Sequence, residues 1–307
     1  MTPEAAMDLA LRQARHALGR CFPNPPVGAV VWRGDRVLGR GYTRPAGSEH
    51  AEVVALRRAL RVHGRSLVRR ASLAVTLEPC CHRGRTAPCS EAVLEAGIRR
   101  VFVGHRDPDP RVAGRGLRIL RRAGVQVEVG VREAECRHQH RGFLSVHERG
   151  RPWVSLKLAV SLDGRIATSQ GESRWITGER ARALVHRLRD RVDAVMVGSG
   201  TALRDDPELT VRRGPRTLRC PVRVVVDGRL RLTPEARLLR GADARRTWLL
   251  VGPDPPRRRS LAVQDQGARL LAVPLRAGHV DLRRALVRLA REGLTHVLVE
   301  GGAGLAT

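Results

Sequence analysis

Several kinds of residue are scarce in this 307-residue chain, which has one tyrosine, three phenylalanines and an aromatic content of 3%. Proteins that hold single-stranded nucleic acid without sequence preference stack the bases on aromatic side chains, so this scarcity disfavours that class. Long apolar runs are missing as well. No segment reaches the roughly 18 apolar residues of a membrane-spanning helix, and we therefore expect no membrane partner.

Cysteine is too sparse for a disulfide-rich secreted fold. Of the six cysteines, three crowd into residues 80–89. Cys21, Cys136 and Cys220 have no evident partner in the sequence and are interpreted as ordinary thiols. Residues 1–20 contain acidic side chains and lack the apolar core of a signal peptide. The expected compartment is therefore the reducing cytoplasm.

Basic residues are in large excess. The chain holds 57 basic and 30 acidic residues, a net charge of +27, and Lys157 is its only lysine. The arginines are dispersed, so we interpret the charge as a chain-wide bias toward arginine rather than a nucleic-acid surface. Non-specific adhesion to RNA at low salt is expected, but no specific nucleic-acid partner.

Two short stretches combine residue types that bind metal ions. His50 stands two residues before Glu52, and Pro79-Cys80 is followed by Cys89. One histidine and two cysteines supply three zinc ligands and leave a fourth position open, as in catalytic rather than structural zinc sites. This order of residues is typical of zinc nucleobase deaminases. We therefore predict His50, Cys80 and Cys89 as metal ligands.

Glu52 is the predicted catalytic residue of this site. Replacing an exocyclic amine on a pyrimidine by oxygen needs hydroxide at neutral pH, and zinc lowers the pKa of bound water to about 7. Glu52 would take the water proton, pass it to the ring nitrogen and then protonate the leaving amine. Cys81 and His82 compete for the metal, but adjacent Cys80 and Cys81 cannot easily both bind one ion.

Two residue types that occur once each invite a chemical explanation. Asn24 lies between prolines in a loop that enters a predicted strand, where its amide would bind a base; the alternative is a plain turn. Lys157 is a compact donor whose pKa can shift on burial, as that of arginine does not. Either Lys157 has a chemical role, or it is a lysine that the bias toward arginine happened not to replace.

The periodicity of the chain predicts two α/β domains joined by a linker at residues 147–152. In the first half, a helix from Pro3, a hairpin over residues 27–42, a helix from His50 to near Gly64 and alternating strands and helices indicate a largely parallel sheet. The metal site then falls at strand ends and helix starts.

The second half has its own α/β pattern. Strands are expected at 153–160, 194–198, 222–227, 247–251, 268–273 and 296–300, helices at 179–188 and 282–291, and a loop at 253–266.

The motifs, taken in order, resemble those of the bifunctional deaminase–reductases of riboflavin biosynthesis. They occupy residues 23–28, 50–52, 78–89, 107–110, 112–116, 156–164, 171–177 and 205–212. The resemblance runs from near the first residue to the last. tRNA and cytidine deaminases usually have two residues between the cysteines, whereas this chain inserts a segment containing Gly84-Arg85-Thr86.

The resemblance implies a cytidine-deaminase-like three-layer α/β/α domain over residues 1–147 and a dihydrofolate-reductase-like α/β domain over residues 152–307. The first would use Zn²⁺ to deaminate C2 of 2,5-diamino-6-ribosylamino-4(3H)-pyrimidinone 5′-phosphate. The second would use NADPH to reduce the ribosyl group to ribityl. The expected partner is this small phosphorylated pyrimidine, and a homo-oligomer is also expected.

Further site residues follow from the resemblance. Those expected to bind the cofactor are Ala159, Trp175, Thr201, Asp205 and Gly302. Those expected to bind substrate are Ser173, Arg189, Leu209, Arg212 and Glu300, with Asn24 and Arg85 in the first domain; Arg85 would hold phosphate. Lys157 would polarise or protonate the opened sugar. As alternatives, Arg189 is a solvated helix end and Asp205 part of a turn.

In this family the chain continues with further strands and helices after the glycine-rich turn that corresponds to residues 301–304. The resemblance implies that this turn binds cofactor phosphate at a helix start. Since the chain ends at Thr307, we expect a truncated reductase domain with unpaired sheet edges and impaired activity. One alternative is a deaminase whose second domain is inactive. Another is an RNA-binding protein or tRNA-editing deaminase, which the long inter-cysteine segment and the second domain disfavour.

Overall fold

The chain forms two compact units, Met1–Gly150 and Arg151–Thr307. The computed structural model describes residues 1–83, 87–170 and 176–306. Both units are α/β, which confirms the predicted fold class. None of the helices among these residues has the length and apolar character needed to cross a membrane.

The first unit has a five-stranded sheet in the order β2-β1-β3-β4-β5, in which β1 is antiparallel to β2 and β3 while β3, β4 and β5 are parallel. Its strands are β1 (Gly28–Arg33), β2 (Arg36–Tyr42), β3 (Ser72–Val75), β4 (Arg100–Val103) and β5 (Gln126–Val129). Its helices are α1 (Pro3–Ala14), α2 (Ala51–Val68), α3 (Cys89–Glu95), α4 (Arg115–Arg122), α5 (Glu133–Gln139) and α6 (Arg141–Arg149).

Helix α1 begins where the sequence predicts. The Thr2 hydroxyl accepts a hydrogen bond from the Ala5 amide at 3.3 Å, and Pro3 occupies the first turn, where no backbone donor is needed. The helix packs very closely on β1. A Cβ added to Gly28 would lie 1.9 Å from the Ala10 carbonyl oxygen, so only glycine permits this approach.

Helix α2 brings His50 and Glu52 to the sheet. A Cβ on Gly41 of β2 would lie 2.1 Å from the Ala51 carbonyl oxygen, so glycine again allows the contact. The predicted end near Gly64 coincides with a break in the helix. Gly64 has the non-helical angles φ 71° and ψ 168°, which glycine adopts without the steric cost that other residues would incur, and further helical residues follow this kink up to Val68.

The second unit has a parallel six-stranded sheet in the order β12-β11-β10-β7-β15-β6. The strands of the unit are β6 (Trp153–Lys157), β7 (Ala194–Gly198), β8 (Val211–Arg213), β9 (Arg216–Arg219), β10 (Val222–Val226), β11 (Thr247–Val251), β12 (Arg269–Ala272), β13 (Leu275–Arg276), β14 (His279–Val280) and β15 (His296–Glu300). The helices are α7 (Glu179–Arg189), α8 (Ser199–Asp205), α9 (Arg257–Asp265), α10 (Leu282–Arg291) and α11 (Ala303–Ala306).

The register of this sheet aligns the ends of four strands. Lys157 at the end of β6 pairs with Glu300 at the end of β15. Val226 at the end of β10 pairs with Gly198 at the end of β7. The carboxyl ends of parallel strands form the usual ligand edge of an open α/β sheet, so this edge positions the second site.

Three segment predictions need correction. The expected linker at 147–152 includes the last turn of α6, which runs to Arg149. The expected strand at 153–160 stops at Lys157. The expected loop at 253–266 contains α9, whose only buried side chain is Val263, so the helix lacks the apolar stripe that would reveal it.

Candidate active sites

The first unit gathers His50, Cys80 and Cys89. His50 immediately precedes α2, Cys80 follows β3, and Cys89 is the first residue of α3. Their ligand atoms all lie within 4.8 Å of one another. His50 Nδ1 is 3.2 Å from Cys89 Sγ and 3.5 Å from Cys80 Sγ.

These distances fit a zinc ion. With usual Zn–N and Zn–S bond lengths and tetrahedral angles, a nitrogen and a sulfur on the same ion are separated by about 3.5 Å. Both N–S separations in the cluster lie close to that value. Cys81 and His82 do not belong to the cluster; the Cys81 thiol is directed to the Arg111 carbonyl at 3.8 Å.

The two cysteines differ in their proton affinity. The side chain of Cys89 donates to Cys80 Sγ, and so does the Cys89 amide, at 3.3 Å. Together with His50 these donors lower the pKa of Cys80 to about 4. The same contact raises the pKa of Cys89, because Cys89 keeps the proton. The site thus favours a thiolate at Cys80, the form that binds metal.

Glu52 lies in the first turn of α2, interacts with His50, Cys80 and Cys89, and is only 4% exposed. Burial raises the pKa of Glu52 to about 7 despite the opposing effect of His50. A carboxyl with this pKa can both accept and donate a proton near neutral pH, as a general acid–base requires.

The Glu78 carboxylate ties the metal-binding segment to the loop before α4. Glu78 Oε2 accepts from the amides of Asp107 and Gly114 at 3.2 and 2.9 Å, and Oε1 accepts from the amide of Gly116 at 3.1 Å. A Cβ on Gly116 would lie 2.1 Å from the Pro79 carbonyl oxygen. Asp107 is buried in this loop, and desolvation raises its pKa to about 7.

A chain of hydrogen bonds behind the sheet edge involves two buried histidines. His105 Nδ1 donates to the Arg106 carbonyl at 2.8 Å, so its Nε2 is the acceptor for His140 Nδ1, also at 2.8 Å. His140 Nε2 lies 3.2 Å from the Thr76 hydroxyl and 3.3 Å from the Pro26 carbonyl, and the Thr76 hydroxyl accepts from the Gly28 amide. Burial, with the neighbouring His105, lowers the pKa of His140 to about 3. Both rings are neutral links in the chain.

The second unit has a cavity of about 910 Å³ at the carboxyl ends of β6, β7, β10 and β15. The predicted site residues that line it are Lys157, Ala159, Arg189, Thr201, Asp205, Leu209, Glu300 and Gly302. The sheet therefore brings together residues that are up to 145 positions apart in sequence, from Lys157 to Gly302.

Two residues of the cavity lining, Arg189 and Glu300, form a bidentate ion pair. Arg189 Nε lies 2.7 Å from Glu300 Oε1, and Arg189 Nη2 lies 2.9 Å from Glu300 Oε2. The two side chains are 13% and 10% exposed. Arg189 also donates to the Thr210 carbonyl at 3.0 Å, so it is not a solvated helix end.

Comparison with known proteins gives the same division of the chain. The model of the cytidine and deoxycytidylate deaminase zinc-binding region matches residues 1–105, and the model of the RibD C-terminal domain matches residues 152–307. Riboflavin biosynthesis protein RibD of Escherichia coli is 38% identical over 317 aligned residues, covering 100% of this chain and 83% of that protein. The chain belongs to the RibD family.

Solved RibD structures superpose on nearly the whole chain. RibD of Acinetobacter baumannii matches with a TM-score of 0.86 and 37% identity, covering 99% of this chain and 82% of that one. A Thermotoga maritima protein named diaminohydroxyphosphoribosylaminopyrimidine deaminase/5-amino-6-(5-phosphoribosylamino)uracil reductase matches with a TM-score of 0.84, 36% identity and coverages of 99% and 82%. The chain thus spans about four fifths of these relatives.

As a RibD-family member, the chain is an enzyme of riboflavin biosynthesis with a zinc-binding deaminase domain and a reductase domain, and its cofactors are zinc and NADPH. Some predicted site residues lie elsewhere. Arg85, Ser173 and Trp175 fall outside the described residues. Arg212 is absent from the cavity lining, and its guanidinium pairs with Glu208 at 3.3 Å. Asn24 is half-buried in a turn in which its backbone N–H donates to the Cys21 carbonyl.

Sequence reasoning missed three residues at the cavity. Ser199, Asp227 and Arg231 all line it, at the ends of β7 and β10. The available signal was position, since Asp227 is the last residue of a predicted strand, Ser199 follows the end of another directly, and Arg231 lies four residues beyond Asp227. Among 57 basic residues, a single arginine gave no reason to be singled out.

Proposed function

We propose that this protein carries out two consecutive reactions on one pyrimidine ribotide. The first unit deaminates 2,5-diamino-6-ribosylamino-4(3H)-pyrimidinone 5′-phosphate, and the second reduces the ribosyl group of the product to ribityl. The observation that carries the proposal is the cluster of His50, Cys80 and Cys89 with buried Glu52 beside it, in a chain whose other half matches the RibD C-terminal domain.

In the deaminase, water is consumed and ammonia is released at C2 of the pyrimidine. His50, Cys80 and Cys89 would hold a zinc ion, which would supply an acidified water at neutral pH when bound. Glu52 accepts a proton from the attacking water, delivers it to the ring nitrogen and then protonates the amine that leaves. Its pKa of about 7 suits both directions of transfer. Asn24 is proposed to bind the base, and Arg85 the phosphate.

In the reductase, the sugar opens to an imine whose C1′ receives a hydride while its nitrogen receives a proton. NADPH supplies the hydride when bound. Lys157 lines the cavity at the end of β6, with Glu300 as its register partner on β15. We propose that Lys157 polarises or protonates the opened sugar and that Arg189, Leu209, Arg212, Ser173 and Glu300 contact the substrate. Ala159, Trp175, Thr201, Asp205 and Gly302 are the proposed cofactor contacts.

The deaminase domain is proposed to comprise residues 1–147 and the reductase domain residues 152–307. The family models at 1–105 and 152–307 support this division, and so does the boundary of the compact units after Gly150. We further propose a homo-oligomer in the cytoplasm that has no specific nucleic-acid partner. Size-exclusion chromatography with light scattering and salt-dependent RNA binding would test these statements.

The test of the proposed function is a paired assay on the purified full chain with the diaminopyrimidinone ribotide, with and without NADPH, and with zinc content measured. Ammonia release together with NADPH oxidation is the expected result. Ammonia release without NADPH oxidation would contradict the reductase assignment for this chain. A zinc-loaded protein that releases no ammonia would contradict the deaminase assignment.

A further inference from the structure

An arginine with no role in the proposed chemistry lies near the end of β10, at the cavity of the second unit. The Arg231 side chain is 52% exposed, and Arg231 lines the cavity. Its Nη2 donates to Ser199 Oγ at 2.6 Å, and its Nε lies 3.8 Å from Asp227 Oδ1. Two neighbours thus orient the guanidinium. Its Nη1 makes no hydrogen bond to the described parts of the chain.

Asp227 fixes the backbone that carries this arginine. Asp227 Oδ2 accepts from the amides of Arg231 and Leu232 at 2.6 and 2.8 Å, whereas Oδ1 has no hydrogen-bond partner among the described residues. Asp227 is only 1% exposed. Both residues line the cavity, but the Asp227 carboxylate is buried against backbone amides, so the half-exposed guanidinium is the charged group that a ligand can contact most readily. In dinucleotide sites a strand-end carboxylate binds an unphosphorylated ribose, whereas an arginine nearby accommodates a 2′-phosphate.

The strand order of the sheet indicates which phosphate Arg231 can reach, that of the substrate or the 2′-phosphate of NADPH. β10 lies two strands from β15 and three from β6, or about 10 and 14 Å at the usual strand spacing. Lys157 and Glu300 end those two strands, where reduction is proposed. The substrate phosphate is on the same five-carbon sugar that is reduced. The 2′-phosphate of NADPH is at the far end of the dinucleotide from its nicotinamide, so the cofactor fits the separation better.

We propose that Arg231, oriented by Asp227 and Ser199, binds a phosphomonoester dianion, the 2′-phosphate of NADPH, and thereby selects NADPH over NADH. A planar guanidinium suits this group because it can donate two parallel hydrogen bonds to phosphate oxygens. Arg204 and Arg229 also line the cavity and add positive potential. The inference rests on the proposed reductase function.

The experiment is calorimetric titration of the full chain with adenosine 2′,5′-bisphosphate, adenosine 5′-phosphate and ribose 5-phosphate. The two nucleotides differ only in the 2′-phosphate. Arg231→Gln should weaken binding of the bisphosphate by roughly 10- to 100-fold, the usual effect of losing a charged hydrogen-bond pair, and leave the monophosphate unchanged. Arg231→Lys should fall between, because it keeps the charge without the planar fork.

Matched controls separate this role from a structural one. Arg258→Gln removes the same charge from the exposed first turn of α9 and should change neither affinity. Ser199→Ala removes only the 2.6 Å contact and should weaken bisphosphate binding less than Arg231→Gln does. Ammonia release and the unfolding midpoints should match those of the unmodified protein.

Each other outcome has a definite meaning. Equal losses for both nucleotides, or none for either, would overturn the proposal. A loss confined to ribose 5-phosphate would keep a phosphate site at Arg231 but overturn the selection of NADPH. An unmodified protein that binds neither nucleotide would contradict the proposed reductase function itself.

Discussion

The two sites are built on different length scales. In the first unit, three ligand atoms lie within 4.8 Å of one another, and they come from two short stretches of sequence. In the second, a cavity of about 910 Å³ takes side chains from the ends of four strands. A compact metal site depends on a few local geometries, whereas an extended site depends on the order of strands in the sheet. Perturbations should therefore affect the two sites differently.

The largest difference is expected on removal of metal. A chelator should abolish ammonia release, because without zinc at His50, Cys80 and Cys89 no acidified water is available at neutral pH. Binding of adenosine 2′,5′-bisphosphate, a property of the second unit, should persist. Zinc added back should restore ammonia release. Continued ammonia release by protein shown to be free of zinc would contradict the statement that the first site depends on a metal ion.

Glu52→Gln should reduce ammonia release by roughly 10²- to 10⁴-fold, the usual contribution of a general acid–base, while zinc content stays unchanged. The control is Glu95→Gln, at the exposed end of α3. A loss of zinc in Glu52→Gln would point instead to a structural effect on the cluster.

Glu300→Gln tests whether the second site relies on its ion pair. The change leaves the Arg189 guanidinium nearly buried beside a neutral amide, and we expect a cost of roughly 1–3 kcal/mol in the stability of the second unit. Glu292→Gln is the control, because its partners Arg269 and Arg288 are about half exposed and such pairs contribute less than about 1 kcal/mol. Denaturant titration should give a lower unfolding midpoint for Glu300→Gln than for Glu292→Gln. Equal midpoints would show that burial of the Arg189–Glu300 pair adds no stability.

The smallest effect concerns acid. The pKa of His140 is about 3 in the folded chain, below the value of about 6.5 expected when unfolded, so the unfolded state binds the extra proton. The stability that neutral His140 provides is complete above pH 6.5 and decreases as pH falls toward 3. His140→Gln should flatten this dependence, as seen in unfolding midpoints between pH 7.5 and 5. His138→Gln, an exposed control, should retain the slope of the unmodified chain.

The sequence predicted the α/β class and the positions of most strands, because short apolar runs between turn residues are a local signal. Residues 194–198, 247–251 and 296–300 were predicted with the bounds that β7, β11 and β15 have. Helix α9 was missed because its arginines hide any periodicity. The break at Gly64 was predicted because glycine commonly ends a helix, but the short helical stretch that follows it up to Val68 was not.

The two candidate sites were also predictable to different degrees, because only the first has a local signal in the sequence. His50, Glu52, Cys80 and Cys89 carry their chemistry in residue type and spacing. The pairing of Arg189 with Glu300 needs the three-dimensional sheet, since the residues are 111 positions apart. Arg231 could not be distinguished from the other arginines until its contacts with Ser199 and Asp227 were known.

Glu78 has a consequence for how such a deaminase can be altered. Its carboxylate accepts hydrogen bonds from residues 107, 114 and 116, and Gly116 tolerates no side chain against Pro79. The segment that carries Cys80 and Cys89 (residues 78–89) and the loop before α4 (residues 107–114) therefore depend on each other for their structure. A chimera that exchanges residues 78–89 with a relative should work only if residues 107–117 come from the same parent.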